Sequence, residues 1–169
     1  VGAATAFSKL SGLLRQQLIA AAFGLGVVYE AYNYAYILPG FFLILLGGIN
    51  GPFHSAVVST LARRTRAEGA HVIAAVNTIV GVCLIGVALV IVLAADPLIR
   101  ILGPGLTEEI HTSSVIQLRW MAPITSLAGL VGIGYGALNA ADEYWLPAVS
   151  PLVSNISVIG AVALLYWKL

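Results

Sequence analysis

Few residues in this chain could do chemistry, and the ones that could are suited to holding a charged group more than to breaking bonds. Ser8, Lys9, Ser11, Gly12, Arg15 and Gln16 recur at helical spacing and read as one side of a helix, with Phe7, Leu10, Leu14, Leu18 and Ile19 on the other. Each cation on that stripe costs at least about 2.5 kcal/mol if held at the centre of a bilayer. The stripe is therefore expected to face protein or water. An amphipathic helix lying in the membrane interface is the alternative, but the apolar ends and the short connection from Gly24 to Gly26 favour a span. Further on, Glu30 and Asn33 stand among Tyr29, Tyr32, Tyr34 and Tyr36. Glu30, a carboxylate near a membrane boundary, can snorkel or stay protonated and is a candidate functional group. Tyr29, Tyr32 and Tyr36 share one helical face, and tyrosines at a segment end ordinarily form an interfacial belt.

Other chemistries lack their residues. His54, His71 and His111 fall in different segments and none stands four residues from another His or beside a Cys, so no metal-ligand spacing is present. Cys83, the single cysteine, lies within an apolar run and reads as a small apolar residue. There is no Gly-x-Ser-x-Gly elbow and no phosphate-cradling loop ending in Lys-Ser/Thr, and GLGVV and GPGL lack the strand-to-helix context of a nucleotide signature. No catalytic residue and no cofactor is expected, which leaves transport or scaffolding. The net charge of +1 and the absence of a basic groove with interleaved aromatics argue against nucleic acid.

The elements that must position the stripe are membrane helices. The 169 residues are 60% hydrophobic and 9% charged, against roughly 25% charged in a soluble domain, and mean hydropathy is +0.98. The chain reads as an all-α, polytopic transmembrane bundle, with spans expected over 3–23, 29–63, 70–95, 108–139 and 146–167. The second is interrupted. Pro39 should kink it, and Gly47, Gly48, Asn50, Gly51 and Pro52 break it at membrane depth, which is tolerated only inside protein or beside a watery cavity. Arg63, Arg64 and Arg66 place loop 63–69 in the cytoplasm. The first span then starts inside, 25–28 is outside and 141–144 is inside.

The third span reads as scaffold, followed by an external loop from Pro97 that holds Arg100, Glu108, Glu109 and His111. Thr107 with the two glutamates reads as a helix start, where acids offset the positive end of the dipole. Along the fourth span Ala128, Gly132 and Gly136, with Gly129 and Gly134 between, allow a neighbouring backbone to approach closely. In the fifth, Ser154, Asn155 and Ser157 read as interhelical contacts. The chain starts without Met, inside a helical pattern, and stops just past Trp167 and Lys168, so a longer protein is expected.

Two blocks resemble a known family. FSKLSGLLRQQLIAAAFGLG followed by YEAYNYAYILPGF is similar to the first two helices of the MurJ (MviN) lipid II flippases of the MOP exporter superfamily. MAPITSLAGLVGIGYGALNAADEYWLPAVSPLVSNISVIG is similar to the fourth and fifth. The resemblance implies a fragment of the N-terminal lobe of a MOP/MATE-like transporter, about the first five of about fourteen helices. It implies flipping of a lipid-linked peptidoglycan precursor across the bacterial plasma membrane by alternating access. Its partners would be the lipid-linked oligosaccharide, membrane lipids, and a coupling cation or the membrane potential.

By the same resemblance Lys9 and Arg15 stand at the family's first and second basic positions and Glu30 at its acidic position. They make, with Ser8, Gln16 and Asn33, a substrate-binding set. The chain departs after Pro39, where the family usually shows Arg-Arg and later Glu-Gly and this chain reads FFLILLGGINGPF. Two other readings stay open: a cation-coupled exporter of small amphipathic compounds or another polysaccharide-lipid flippase, the exporter using Glu30 as its ion site, and a scaffold that only binds partners.

Overall fold

The computed structural model describes residues 2–24, 26–47, 52–62 and 66–168, and the elements among them are helices: α1 (Gly2–Phe23), α2 (Val27–Leu45), α3 (Pro52–Leu61), α4 (Arg66–Leu93), α5 (Ala95–Leu102), α6 (Glu108–Ala140) and α7 (Trp145–Lys168). Gly24, with φ +69, turns the chain out of α1 into the extended Gly26 that precedes α2. The left-handed conformation at Gly24 is open to glycine without a Cβ penalty. α2 ends beside Leu46, whose N–H still bonds the Phe42 carbonyl at 2.8 Å, and α3 opens at Pro52. Proline suits that position because its missing N–H would have no helical partner there. Pro39 does not interrupt α2 and is fully buried within it. Gly48, Asn50, Gly51, Arg63 and Arg64 lie outside the described residues, and Arg66 opens α4.

One element departs from the expected plan. The stretch from Pro97, expected as loop, begins inside a helix, α5. Ala95 and Ile99, four apart, are both fully buried, while Asp96 and Arg100, also four apart, pair on its other side, with Arg100 Nε donating to Asp96 Oδ2 at 3.0 Å. Pro97 falls in the first helical turn, where proline is tolerated. α6 then starts as expected at a Thr107 cap, whose hydroxyl accepts from the Ile110 N–H at 3.5 Å.

The helices form two units. In the larger, α6 is a central post against which α2, α3, α4 and α5 pack. Its core, where α2, α4, α5 and α6 meet, includes Ala35, Ile91, Ile99, Leu118 and Ala122. In the smaller unit α1 packs along α7, and this pair touches α2 and α6 only lightly. Large apolar side chains point outward all round: Phe7, Leu13, Ile44, Leu93 and Trp120 are all well exposed. Among the described residues three helices are long and apolar enough to cross a membrane, Glu68–Leu93, Glu108–Ala140 and Trp145–Leu164. Lys9, Arg15 and Gln16 in α1, and Glu30, Asn33 and four tyrosines in α2, make those two helices more polar.

The small residues of α6 explain how the larger unit closes. A side chain at Gly132 would fall onto the Leu46 carbonyl, where α2 ends, and one at Gly129 would meet Leu84 of α4. At Gly136 an added Cβ would lie 2.7 Å from Val57 Cγ1 of α3, and at Gly47 one would lie 3.1 Å from the Ala128 carbonyl oxygen. The broken second segment therefore leans backbone to backbone on α6. Dispersion and close approach hold helices together where lipid removes the hydrophobic drive between them.

Candidate binding cavity between the two helical units

Where the α1–α7 pair faces the larger unit, a cavity of about 380 Å³ opens, lined by Ile19, Val28, Tyr29, Tyr32, Gln117, Val158 and Val162 from α1, α2, α6 and α7. Ile19 stands eleven residues after Ser8, a near-integral number of helical turns, so it lies on the polar side of α1 and not on the apolar side where it was expected.

Arg15 stands on α1 one helical turn before the cavity-lining Ile19 and is not itself among the lining residues. Its side chain is half-buried, its Nε atom is fully buried, and that Nε has no hydrogen-bond partner among the described residues. A buried guanidinium donor left without an acceptor is costly, and such a group suits an anion brought from outside, which it can grip with two parallel N–H bonds. Lys9 and Gln16 are exposed on an adjoining side of α1.

The remaining members of the expected polar stripe have another job. Asn155 of α7, only 7% exposed, donates from Nδ2 to the Ser8 carbonyl at 3.2 Å and to the Ser11 hydroxyl at 2.9 Å. Ser11 in turn donates to the Ser8 carbonyl at 2.8 Å, and Gly12 leaves room for the Asn155 amide. Ser11, the Ser8 carbonyl and the space at Gly12 therefore staple α1 to α7, while the Ser8 side chain is half-exposed.

On α2 the residues sort by face. Ala31, Ala35, Pro39 and Gly40 are buried. Glu30 and Asn33 are exposed, with Asn33 Nδ2 bonding back to the Tyr29 carbonyl at 3.0 Å. Tyr34 leaves their company and packs against the core near Gly103. Between these faces Tyr29, Tyr32 and Tyr36 stack in a row, with ring centroids 6.4 and 5.7 Å apart and planes within 18°. The row continues to Gly40, where a Cβ would press on the Tyr36 ring at 2.9 Å. The structure thus leaves Arg15 half-buried on α1 and Lys9, Gln16, Glu30 and Asn33 on exposed surfaces.

Sequence reasoning passed over several polar contacts that connect elements. Gln117 on α6 donates to the Val28 carbonyl at 3.2 Å and so fixes the first turn of α2 beside the cavity. Arg119 donates from Nε to the Val92 carbonyl at 3.3 Å, capping the last turn of α4. His54, only 5% exposed, has its Nε2 2.8 Å from the Asn139 side-chain amide, tying α3 to the end of α6. At the other end of α6, His111 Nε2 lies 3.6 Å from Asp96 Oδ1. Among the described residues no group of three or more His, Cys, Asp or Glu gathers to hold a metal ion.

These features define an all-α transmembrane helix bundle, a membrane protein with a largely apolar cavity between its two units. The family model described as lipid II flippase MurJ matches residues 19–169, and the chain belongs to that family. It is 54% identical, over 100% of its length, to a probable lipid II flippase MurJ of Synechocystis sp., of which it covers 32%. It is 30% identical to a probable lipid II flippase MurJ of Rhizobium meliloti, over 99% of its own length and 32% of that protein. To the lipid II flippase MurJ of Thermosipho africanus it is 32% identical, over 92% of its own length and 32% of that protein. The chain spans about a third of the length of these curated relatives. No solved structure is significantly similar to it.

Proposed function

We propose that this chain is part of the N-terminal lobe of a flippase that carries a lipid-linked peptidoglycan precursor, lipid II, from the cytoplasmic to the outer leaflet of the bacterial plasma membrane. The observation that carries this reading is Arg15, whose buried Nε lacks an acceptor among the described residues, on α1 one turn from the residue that lines a cavity between two lightly joined helical units. Family membership supports it from the other side. The role of Arg15 is to hold the diphosphate: a guanidinium stays charged even in a poor solvent, and in a low-dielectric site it binds an anion far more strongly than in water. Lys9, on the adjoining face, supplies a second cation as the head group enters. The protein transports and does not catalyse.

The apolar sides of α1, α2 and α7 meet lipid, which lets the polyprenyl chain stay in the bilayer while the head group crosses. Loop 63–69 lies in the cytoplasm, and the energy comes from a coupling cation or the membrane potential. Alternating access needs the second lobe, which moves against this one around the cavity. The test is rescue of a flippase-depleted strain by the full-length protein carrying Arg15→Ala. Loss of rescue at normal membrane abundance is expected, and full rescue overturns the assignment.

A further inference from the structure

Two features join α7, and with it the α1–α7 pair, to the α6 post. The first is the turn at 141–144. Asp142 takes the left-handed conformation, with φ +62, and its N–H bonds the Asn139 carbonyl at 3.1 Å while the Glu143 N–H reaches back to the Leu138 carbonyl at 2.9 Å. Those two bonds make the Schellman arrangement, which closes α6 firmly and leaves only Glu143 and Tyr144 before α7 opens at Trp145. The second is a side-chain contact beyond the turn. Tyr135 Oη donates to Ser150 Oγ at 2.6 Å, and among the described residues this is the one side-chain hydrogen bond between α6 and α7. A cleft of about 550 Å³ opens beside it, lined by Tyr135, Leu146, Val149, Ser150, Val153 and Ser154. The two helices otherwise touch little, so a pair of hydroxyls holds them where packed side chains do not.

We infer that the Tyr135–Ser150 bond is a latch, and that the link at 143–144 is the hinge about which the α1–α7 pair turns when the latch opens. Asn155 decides what moves. It holds α1 to α7 through Ser8 and Ser11, so α1 travels with α7, and Arg15 lies on α1 one turn beyond Ser11. Tyr135 is therefore a positioning residue, which sets how far Arg15 stands from the α6 wall without itself touching an anion. The use made of that motion rests on the flippase reading given above. A bond between two neutral hydroxyls in a membrane is weak enough to break and re-form, and a link of two residues can absorb the change in backbone angles. The glycine packing inside the larger unit cannot open in this way, because it would lose close contact along a whole helix face.

The test is the distribution of distances between spin labels on α6 and α7, placed through Thr112→Cys and Ser157→Cys at two exposed positions of the full-length protein in lipid, with its other cysteines removed. The parent should show one main separation. Tyr135→Phe, which keeps the ring, should raise the population of a second, longer separation about three- to fifteenfold, the weight of one interhelical hydrogen bond in a membrane. Ser150→Ala should do the same, and the double variant no more. Ser126→Ala, which loses the bond from Ser126 to the Leu84 carbonyl inside the larger unit, should leave the separation unchanged. Identical distributions in the parent and Tyr135→Phe overturn the inference even if the thermal midpoint falls, because a contact that only adds stability moves the midpoint and not the separation. An equal shift in Ser126→Ala overturns it too. The measurement needs no substrate, so failure of the flippase reading, shown by full rescue with Arg15→Ala, leaves its outcome standing.

Discussion

The two helical units are built on opposite principles. The α6-centred unit is held by shape: Ala128, Gly129, Gly132 and Gly136 remove side-chain volume so that the α2, α3 and α4 surfaces can press against the post. The α1–α7 pair is held by hydrogen bonds from one amide, Asn155, to Ser8 and Ser11. Between them the contact is slight, and there the cavity lies, one helical turn along α1 from Arg15 and its unpartnered Nε. Tight packing is rigid and tolerates no added volume, whereas a polar staple holds a pair in register without demanding close fit. The difference suggests a fixed wall facing a separately built one, with the functional groups on the boundary.

The largest effect should come from adding volume to the rigid unit. Gly132→Ala puts a methyl onto the Leu46 carbonyl, and a backbone group cannot rotate away. Overpacking of this kind costs about 1–3 kcal/mol or more, so the thermal midpoint of the full-length protein should fall clearly. Gly134→Ala, which meets nothing within 4 Å, should leave it unchanged. Equal behaviour of the two would remove shape as the organising principle of that unit.

A smaller effect is expected in the pair. Asn155→Ala deletes both bonds to α1, and interhelical bonds in membranes contribute about 0.6 kcal/mol on average and about 1.7 at most. Disulfide trapping between cysteines placed on α1 and α7 should slow or lose its register, while trapping within the α6 unit does not change. A large loss of global stability instead would mean that the staple supports the whole bundle.

The smallest effect belongs to α5, the helix that packs against α6 near its start. The Arg100 hydrogen bond, together with nearby positive groups, holds the Asp96 carboxyl below its usual range. Its folded pKa is depressed, so its contribution is present above the unfolded value of about 3.9 and fades as pH falls through the lower folded value. Amide exchange across α5 should therefore quicken only below about pH 4, and Asp96→Asn should abolish that pH dependence. Because the pair is open to solvent, the change will be slight.

Much of the bundle was legible because membrane helices must satisfy their own backbone and bury or expose whole faces. Glycines four apart marked the side of α6 that other helices approach, and the Gly-rich, Pro52-terminated break marked the end of α2. Helix α5 was missed because its pattern spans only eight residues and opens with Asp96-Pro97, which reads as a stop when its buried Ala95 and Ile99 cannot be seen to meet a core.

At the site, Arg15 and the face shared by Tyr29, Tyr32 and Tyr36 could be read from helical spacing. What spacing could not supply is the partner across the gap. That Asn155 claims Ser8 and Ser11, or that Gln117 reaches Val28 over 89 positions, depends on tertiary packing and leaves no local signal. Tyrosines near a segment end also look alike whether they anchor a membrane face or line a cavity.

The central claim is that the boundary between the two units holds an anionic head group through Arg15. It is tested most directly by lipid II translocation in liposomes containing the full-length protein, comparing the parent with Arg15→Gln, which keeps the side chain's bulk and loses its charge. The account predicts a fall of at least about tenfold in rate with an unchanged thermal midpoint, as expected when a charge-assisted contact is lost. Translocation at the parent rate would contradict it.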